Sequence, residues 1–315
     1  MLEKIKSVMI GHAVGDALGV PVEFASREEI AQNPVTDMEG YGTYPYPKGT
    51  WSDDTSMSIA ALDSLASGEV KWDEIMCNFG KWLKNGEYTP FGEAFDVGRT
   101  CLNAIINHFT DGTKSTESGG TDEQSNGNGS LMRIHPFALY EYAKGTFDIN
   151  VIHTASALTH AHERSKIACG IYSFVLWELL KSPSKTAIIQ GLNKAKRFYH
   201  DCDEMKYYCE MLFEDPDTIE LVKRDKIKSS GYVVDTLKAA IWCLMTTNNY
   251  KDCVLQAVNL GDDTDTVAAI AGGLAGALYG YDNIRKEWRD TLIKREYIEQ
   301  MCERTSISWE KKEWK

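Results

Sequence analysis

The stretch that decides the fold is residues 261–280, which read GDDTDTVAAIAGGLAGALYG. Acidic and hydroxyl side chains at its start give way to a run of apolar and small residues with helical periodicity. Glycine recurs at every fourth position of that run, at Gly272, Gly276 and Gly280. This spacing lets a helix backbone approach its neighbours closely. We therefore predict a central helix over Asp263–Leu278, whose first turn presents rigidly held carboxylates.

A second acidic and hydroxyl cluster, Ser52-Asp53-Asp54-Thr55, lies far upstream and also begins a predicted helix. The two clusters together offer carboxylates and neutral oxygens from Ser52, Asp53, Asp54, Asp263, Asp265 and Thr266. Such an all-oxygen set suits a hard divalent cation such as Mg²⁺ or Mn²⁺. Because the four carboxylates would balance the charge of two such ions, the residues predict a site for two divalent cations.

Helix capping is the alternative interpretation of each cluster. Serine, threonine and aspartate favour helix N-termini because their side-chain oxygens accept hydrogen bonds from backbone N–H groups. Acids at that position also complement the helix dipole. One cap needs only one oxygen, however, and carboxylates packed together without a cation repel until one takes up a proton. The presence of two such clusters therefore favours a metal site.

Helical periodicity dominates the rest of the chain, and strand signals are sparse. The 315 residues contain no evident linker and only 8 prolines. These features predict an all-α fold, organised as one domain over residues 1–315. Further helices are expected over Leu2–Leu18, Ser52–Ala66, Trp72–Lys84, Ala94–His108, Ser130–Ala143, Ile149–Leu158, Glu163–Leu180, Lys185–Tyr199, Tyr232–Thr246, Lys251–Asn259 and Arg289–Arg304.

The formal net charge of −12 argues against general binding of nucleic acids or anionic membranes, because both need a basic surface. An anionic small ligand remains compatible, since cations and helix N-termini reverse the sign locally. The 8 cysteines include no CxxC pair. Neither a secretory signal nor an apolar run of transmembrane length is evident. We therefore expect a cytoplasmic protein with reduced cysteines.

Candidates for substrate contact lie between the two clusters. The low-complexity stretch 111–129 is long for a connection and predicts a functional loop or lid. Asn128 and Gly129 close this stretch, and Ser130 follows them where a helix is expected to begin. Free N–H groups and the Ser130 hydroxyl would suit a phosphate there, although a flexible loop with an ordinary N-cap accounts for the same residues. His160 and His162 form a pair that serves either structure or a site.

Seven motifs, taken in order, resemble those of the ADP-ribosylglycohydrolase family. They are GDALG at 15–19, SDDT at 52–55, FDVG at 95–98, GNGSLMR at 127–133, LTHAH at 158–162, GYVVDTL at 231–237 and GDDTDTVAAIAGGLAGALYG at 261–280. The matches cover nearly the whole chain. Each motif alone is weak, but the two aspartate clusters with the GNGS segment between them are specific in combination.

The resemblance implies an all-α fold with a binuclear Mg²⁺ or Mn²⁺ centre held by the six cluster residues named above. It also implies a catalytic or gating role for Glu23 and a role for Asp96 in handling the ribose, and either carboxylate is a candidate catalytic base. Contacts to ADP-ribose would come from the segment Asn128, Gly129 and Ser130 and from His160. The implied reaction is hydrolysis of the bond between ribose C1″ and an acceptor on a protein or small molecule, releasing ADP-ribose. Arginine is the expected acceptor.

Three rival interpretations remain. Residues 263–267 fit the DxDx(T/V) pattern of haloacid dehalogenase phosphatases, but that motif ends an early strand, and few residues follow Thr266. Helical terpenoid synthases need DDxxD, and here Met57 and Thr266 occupy the last position. The third is a non-catalytic family member: a degenerate, structural relative would be expected to have lost some of the four aspartates, which this chain retains. A module that binds ADP-ribose without turnover stays an alternative if the auxiliary carboxylates are misplaced.

Overall fold

The structure is a computed structural model, and it describes residues 1–214 and 216–314. These residues form fifteen α-helices with short 3-10 turns between them, and their β pairing is limited to two isolated bridges. The all-α prediction is therefore confirmed. The helices are α1 (Leu2–Gly19), α2 (Arg27–Gln32), α3 (Asp53–Leu65), α4 (Trp72–Asn85), α5 (Arg99–Asp111), α6 (His135–Lys144), α7 (Ile149–Ala157), α8 (Glu163–Lys181), α9 (Lys185–Phe198), α10 (Lys206–Tyr208), α11 (Val233–Thr246), α12 (Tyr250–Val258), α13 (Thr264–Tyr279), α14 (Lys286–Thr291) and α15 (Arg295–Lys311).

The centre of the fold is the close pair α1 and α13, both buried along most of their length. A Cβ atom on Gly11 would lie 2.5 Å from the Gly272 carbonyl oxygen, and one on Gly276 would overlap the Ser7 carbonyl. Only glycine permits such an approach of two backbones. The glycine spacing of α13 thus permits the close backbone approach that the sequence predicts. The buried apolar side chains form one continuous cluster that includes both helices.

Several helix boundaries differ from those predicted, each for a local reason. The α5 helix begins at Arg99 rather than Ala94, because Asp96 has a left-handed backbone with φ 53°. The predicted helix over Arg289–Arg304 is divided into α14 and α15, since Lys294 also has φ 53°. Left-handed residues do not continue a right-handed helix. The short helix α2 was missed, although Ser26 and Glu29 form a capping box that the S-x-x-E spacing signals.

The predicted helix over Ser130–Ala143 also begins later than expected. Asn128–Ser130 is a 3-10 turn, and α6 starts at His135 with a proline next to it in the first turn. The preceding stretch 111–129 is fixed at its centre to the α7–α8 connection. There Gly120 N–H donates to the Thr159 carbonyl at 3.0 Å, and Ala161 N–H donates to the Gly120 carbonyl at 2.8 Å. The stretch therefore packs beside His160.

None of the helices in the described part of the chain is both long and apolar enough to cross a membrane. The cytoplasmic location stays a prediction.

Candidate metal centre and substrate cleft

The two aspartate clusters meet at the N-termini of α3 and α13. Ser52 is the N-cap of α3 and Asp263 that of α13. The Thr266 hydroxyl donates to Asp54 Oδ2 at 3.1 Å, which joins the first turns of the two helices directly. The two clusters, which are about 200 residues apart in the sequence, thus lie in contact in the buried interior, as the sequence predicts.

Asp16 holds the first turn of α3 in place. Its carboxylate accepts hydrogen bonds from Ser52 N–H at 2.9 Å, from Thr55 N–H at 3.1 Å and from the Thr55 hydroxyl at 2.6 Å. Burial raises the pKa of Asp16 to about 7, although these hydrogen bonds act in the opposite direction. The motif GDALG forms the last turn of α1, and its aspartate is a positioning residue.

Glu23, Asp263 and Asp265 form the tightest acidic group, with one carboxylate oxygen of each lying within 4.8 Å of the others. Asp53 and Asp54 lie beside this group in the wall of the same cleft, together with Asp96. The sequence analysis treats Glu23 as a catalytic or gating residue. Its position also brings its carboxylate within reach of an ion bound by Asp263 and Asp265.

Three buried carboxylate oxygens in this cluster lack any hydrogen-bond partner: Glu23 Oε2, Asp54 Oδ1 and Asp265 Oδ2. No Lys or Arg of the described residues forms an ion pair with these carboxylates. Buried charges of one sign need a compensating partner. The residues present therefore fit divalent cations, which would satisfy both the oxygens and the charge.

The electrostatics of the cluster agree with this fit. Burial, reinforced by neighbouring carboxylates, raises the pKa of Asp53, Asp54 and Asp265 well above its usual value. Burial, with the charges of Asp96 and Asp263, raises the pKa of Glu23 to about 9. In the metal-free protein these groups therefore tend to retain protons near neutral pH.

The two predicted neutral ligands differ in their surroundings. The Ser52 hydroxyl accepts from Asp54 N–H at 3.3 Å and lies 3.4 Å from Asp54 Oδ2, so it also caps α3. The capping interpretation therefore holds for Ser52 alongside the acidic cluster. Thr266 lines the cleft, whereas Ser52 and Asp265 lie just behind its wall.

A cradle of small residues adjoins the acidic group. The Asn128 side-chain amide donates to Asp263 Oδ2 at 2.9 Å and to the Thr236 hydroxyl at 3.0 Å. A Cβ atom on Gly129 would lie 2.8 Å from His160 Cε1 and 2.9 Å from Cys101 Sγ, so glycine permits the close packing of these residues in the cleft wall.

His160 lies in the cleft wall as a neutral group. Its Nδ1 lies 2.8 Å from the Thr159 hydroxyl oxygen. Burial, with a smaller contribution from the charge of Arg133, lowers its pKa to about 3. The imidazole therefore acts as a polar neutral surface rather than as a cation.

Ser130 does not have the predicted orientation. Its hydroxyl accepts a hydrogen bond from the Ser156 hydroxyl at 2.9 Å and lies 3.5 Å from Cys169 Sγ. The side chain is fully buried and does not line the cleft. The expectation that this hydroxyl reaches a phosphate is therefore wrong, because the 3-10 turn directs it into the core.

The cleft has a volume of about 340 Å³. Besides the candidates named from the sequence, its wall includes Phe24, Arg99 and Cys101. The Tyr44 hydroxyl donates to Asp96 Oδ1 at 2.9 Å. Spacing along the sequence did not reveal these residues, although Arg99 directly follows the FDVG motif.

Comparisons with known proteins identify the family of this chain and a solved structure with a similar fold. The sequence model of the family described as ADP-ribosylglycohydrolase matches residues 1–314. An ADP-ribosylarginine hydrolase of Serratia proteamaculans is 34% identical over 303 residues, which cover 96% of this chain and 78% of that protein. The ADP-ribosyl-(dinitrogen reductase) glycohydrolase of Rhodospirillum rubrum is 31% identical over 305 residues, covering 95% and 94% of the two chains. A solved structure titled ADP-ribosylglycohydrolase-related protein complex superposes with a TM-score of 0.79, at 26% identity over 98% of each chain.

Proposed function

The chain belongs to the ADP-ribosylglycohydrolase family and removes ADP-ribose by hydrolysis, and from this premise we propose that its acceptor is the guanidino group of arginine. The relative from Serratia proteamaculans carries that specificity in its name. A guanidinium is cationic, and it would be attracted by Glu23 and Asp96, the two carboxylates of the cleft wall that lie outside the proposed set of four metal-binding aspartates.

The observation that carries the proposal is the group of unpaired carboxylates beside the glycine-lined cradle. Two Mg²⁺ or Mn²⁺ ions would be held by Asp53, Asp54, Asp263 and Asp265, with oxygens from Ser52 and Thr266. When bound, such ions neutralise the carboxylates, orient ribose hydroxyls and lower the pKa of water. The orphaned oxygens of Asp54 and Asp265 supply unused ligand atoms.

Asp96 and Glu23 are the proposed proton carriers. Hydrolysis adds water to ribose C1″ through an oxocarbenium-like state, and the electron pair of the C1″–N bond leaves with the guanidine. One carboxylate takes the proton of the attacking water and returns it to the departing guanidine. The Tyr44 hydroxyl donates a hydrogen bond to Asp96 Oδ1 at 2.9 Å and thereby orients this carboxylate.

The ADP moiety is proposed to occupy the cradle formed by Asn128, Gly129 and His160. The Asn128 N–H is already bonded to the Gly231 carbonyl at 3.0 Å, but other backbone N–H groups and a neutral imidazole can donate to phosphate and ribose oxygens without adding charge. Arg99 is in the cleft wall as well, and it offers a cation for the diphosphate.

The test is a panel of conjugates in which ADP-ribose is linked to arginine, to serine or to a nucleobase, each assayed with Mg²⁺ or with chelator. We expect Mg²⁺-dependent release of ADP-ribose from the arginine conjugate, and loss of that release in Asp54→Asn. Release from the serine conjugate alone would contradict the arginine proposal. Metal-dependent binding of ADP-ribose without release from any conjugate would favour a binding protein instead.

A further inference from the structure

Four aromatic side chains form a continuous row that leads outward from the cleft. The aromatic rim, as we name it, consists of Tyr44, Phe95, Tyr46 and Phe91. Successive ring centroids are separated by 5.0 Å, 4.7 Å and 5.5 Å. The row begins at Tyr44, whose hydroxyl is bonded to Asp96, and ends at Phe91, which is 45% exposed. Tyr44, Phe95 and Tyr46 are half-buried, so the row is an aromatic surface that becomes exposed at its outer end, and such a surface next to a cleft is typical of an interaction site.

The rim is held by two anchored loops. In the first, Thr43 N–H donates to the Pro21 carbonyl at 2.8 Å, and the Thr43 hydroxyl donates to the Glu23 carbonyl at 2.7 Å. In the second, Gly92 N–H donates to the Thr89 hydroxyl at 2.9 Å, and Lys294 Nζ donates to the Thr89 carbonyl at 2.8 Å. The aromatic surface is therefore formed before a partner arrives, which lowers the entropy cost of binding.

A series of contacts between the cradle and the aromatic rim indicates which end of the proposed substrate the rim would face. The cradle at Gly129 is connected through Asn128 to Asp263, and Asp263 is grouped with Glu23. The Glu23 carboxylate neighbours the Tyr44 hydroxyl, where the rim begins. With ADP-ribose in the cradle and its C1″ at the carboxylates, the rim would lie on the acceptor side.

The outer end of the rim is also acidic. The Tyr46 hydroxyl donates to Glu93 at 2.8 Å, and Glu93 is exposed. Exposed aromatic rings bind aliphatic and cationic side chains, the latter through the ring face. The chemistry therefore suits a polypeptide that carries apolar and basic residues.

We infer that the aromatic rim is the docking surface for the polypeptide segment that carries the ADP-ribosylated arginine, and that it selects apolar and basic residues beside that arginine. This inference rests on the proposed function, because it assigns the rim to the acceptor of that reaction. Its consequence is that a modified protein is a better substrate than free ADP-ribosyl-arginine.

The test compares kcat/KM for three arginine-linked substrates. They are free ADP-ribosyl-arginine, a peptide with leucine and lysine beside the modified arginine, and a peptide with glycine and glutamate there. The variants are Phe91→Ala and the control Phe109→Ala, which removes a phenylalanine that is 52% exposed on α5. We expect the wild-type protein to favour the leucine and lysine peptide over the free conjugate by about tenfold. Phe91→Ala should lower kcat/KM for that peptide by about three- to tenfold, the usual effect of removing an interface aromatic residue, and leave the free conjugate unchanged.

The outcomes separate this inference from the function on which it rests. Equal kcat/KM of the wild-type protein for all three arginine substrates would overturn the docking inference alone. So would equal losses in Phe91→Ala and Phe109→Ala, or a loss in Phe91→Ala that extends to the free conjugate. A wild-type protein that releases ADP-ribose from a serine conjugate and from no arginine conjugate would overturn the arginine proposal and the docking inference together.

Discussion

Phe24 N–H donates to the Asp262 carbonyl oxygen at 2.7 Å, and both residues have left-handed backbones, with φ 66° and 62°. Asp262 N–H in turn donates to the Ala25 carbonyl at 2.8 Å. This reciprocal pair ties the residue after Glu23 to the residue before Asp263. Two strained backbone positions thus fix the separation of two carboxylates in the acidic group, a common use of strain at functional sites.

The first prediction concerns the backbone of Asp262, whose side chain is exposed. Asp262→Gly should keep or slightly raise the melting temperature, because glycine adopts the left-handed conformation without cost. Asp262→Val should lower the free energy of unfolding by about 1–2 kcal/mol and weaken Mg²⁺ binding. Thermal unfolding and calorimetric Mg²⁺ titration measure both. Equal behaviour of the two variants would mean that the Phe24–Asp262 pair does not hold the site.

The second prediction concerns charge in the acidic group. Asp53→Asn removes one buried carboxylate at nearly constant volume. In chelator, the variant should therefore melt a few degrees above the wild-type protein, because about 1 kcal/mol of stability corresponds to a few degrees in a chain of this size. The rise in melting temperature on adding Mg²⁺ should become smaller, because a ligand is lost. The exposed Asp111→Asn is the matched control and should change neither value. An unchanged Mg²⁺ response in Asp53→Asn would remove this residue from the metal site.

The third prediction concerns pH in the metal-free protein. The pKa of Glu23 is raised from 4.5 to about 9 in the folded state, because burial and nearby carboxylates disfavour its charged form. Stabilisation from such a group is complete below the unfolded pKa and is lost as pH rises through the folded pKa. The melting temperature in chelator should therefore fall between about pH 5 and about pH 9.

Mg²⁺ changes the expected pH response. A divalent cation binds the deprotonated carboxylates, so the stabilisation that Mg²⁺ adds should increase across the same pH window. Melting curves recorded at each pH, with chelator and with saturating Mg²⁺, test this expectation. Parallel curves would show that the cation does not interact with these carboxylates.

Much of the fold followed from sequence periodicity, and the exceptions are local. The close approach of a neighbouring backbone to α13 was predictable because glycine recurs at every fourth position of that helix, but the spacing did not indicate that the neighbour is α1. The late start of α5 was not predictable from the sequence, because the left-handed backbone of Asp96 depends on tertiary contacts such as its hydrogen bond with Tyr44. The inward side chain of Ser130 was missed for a similar reason, because a 3-10 turn and a helix direct the same residue differently.

The acidic group illustrates the same limit within the candidate site. Asp53, Asp54, Asp263 and Asp265 were identified because carboxylates cluster along the sequence at two helix starts. Glu23 has no such neighbours in sequence, and its role was inferred only from resemblance. Its place beside Asp263 and Asp265 depends on the Phe24–Asp262 backbone pair, which no sequence pattern signals.

The fourth prediction concerns the proposed proton carriers. Asp96→Asn and Glu23→Gln should each lower kcat by about 10²-fold or more, the usual contribution of a general acid or base, while changing the affinity for ADP-ribose little. Tyr44→Phe should have a smaller effect and should shift the pH dependence of kcat, because the Asp96 carboxylate loses a hydrogen-bond donor. Steady-state kinetics on an arginine conjugate, with calorimetric ADP-ribose binding, separate the two effects. A proportional loss of binding and turnover would assign these residues to substrate binding instead.

The last prediction concerns Gly129, which packs closely against His160 and Cys101 in the cradle. A Cβ on Gly129 would lie 2.8 Å from His160 Cε1 and 2.9 Å from Cys101 Sγ, so Gly129→Ala must displace a side chain of the cleft wall. We expect its affinity for ADP-ribose to fall by about tenfold, equivalent to about 1.4 kcal/mol. Gly98→Ala is the matched control, because Gly98 lines the same cleft, has φ −60° and has no atom within 4 Å of an added Cβ. Calorimetric titration of ADP-ribose in saturating Mg²⁺ measures both variants. If Gly129→Ala binds as tightly as Gly98→Ala while both keep the wild-type melting temperature, ADP-ribose does not occupy the cradle, and its diphosphate must be held elsewhere in the cleft.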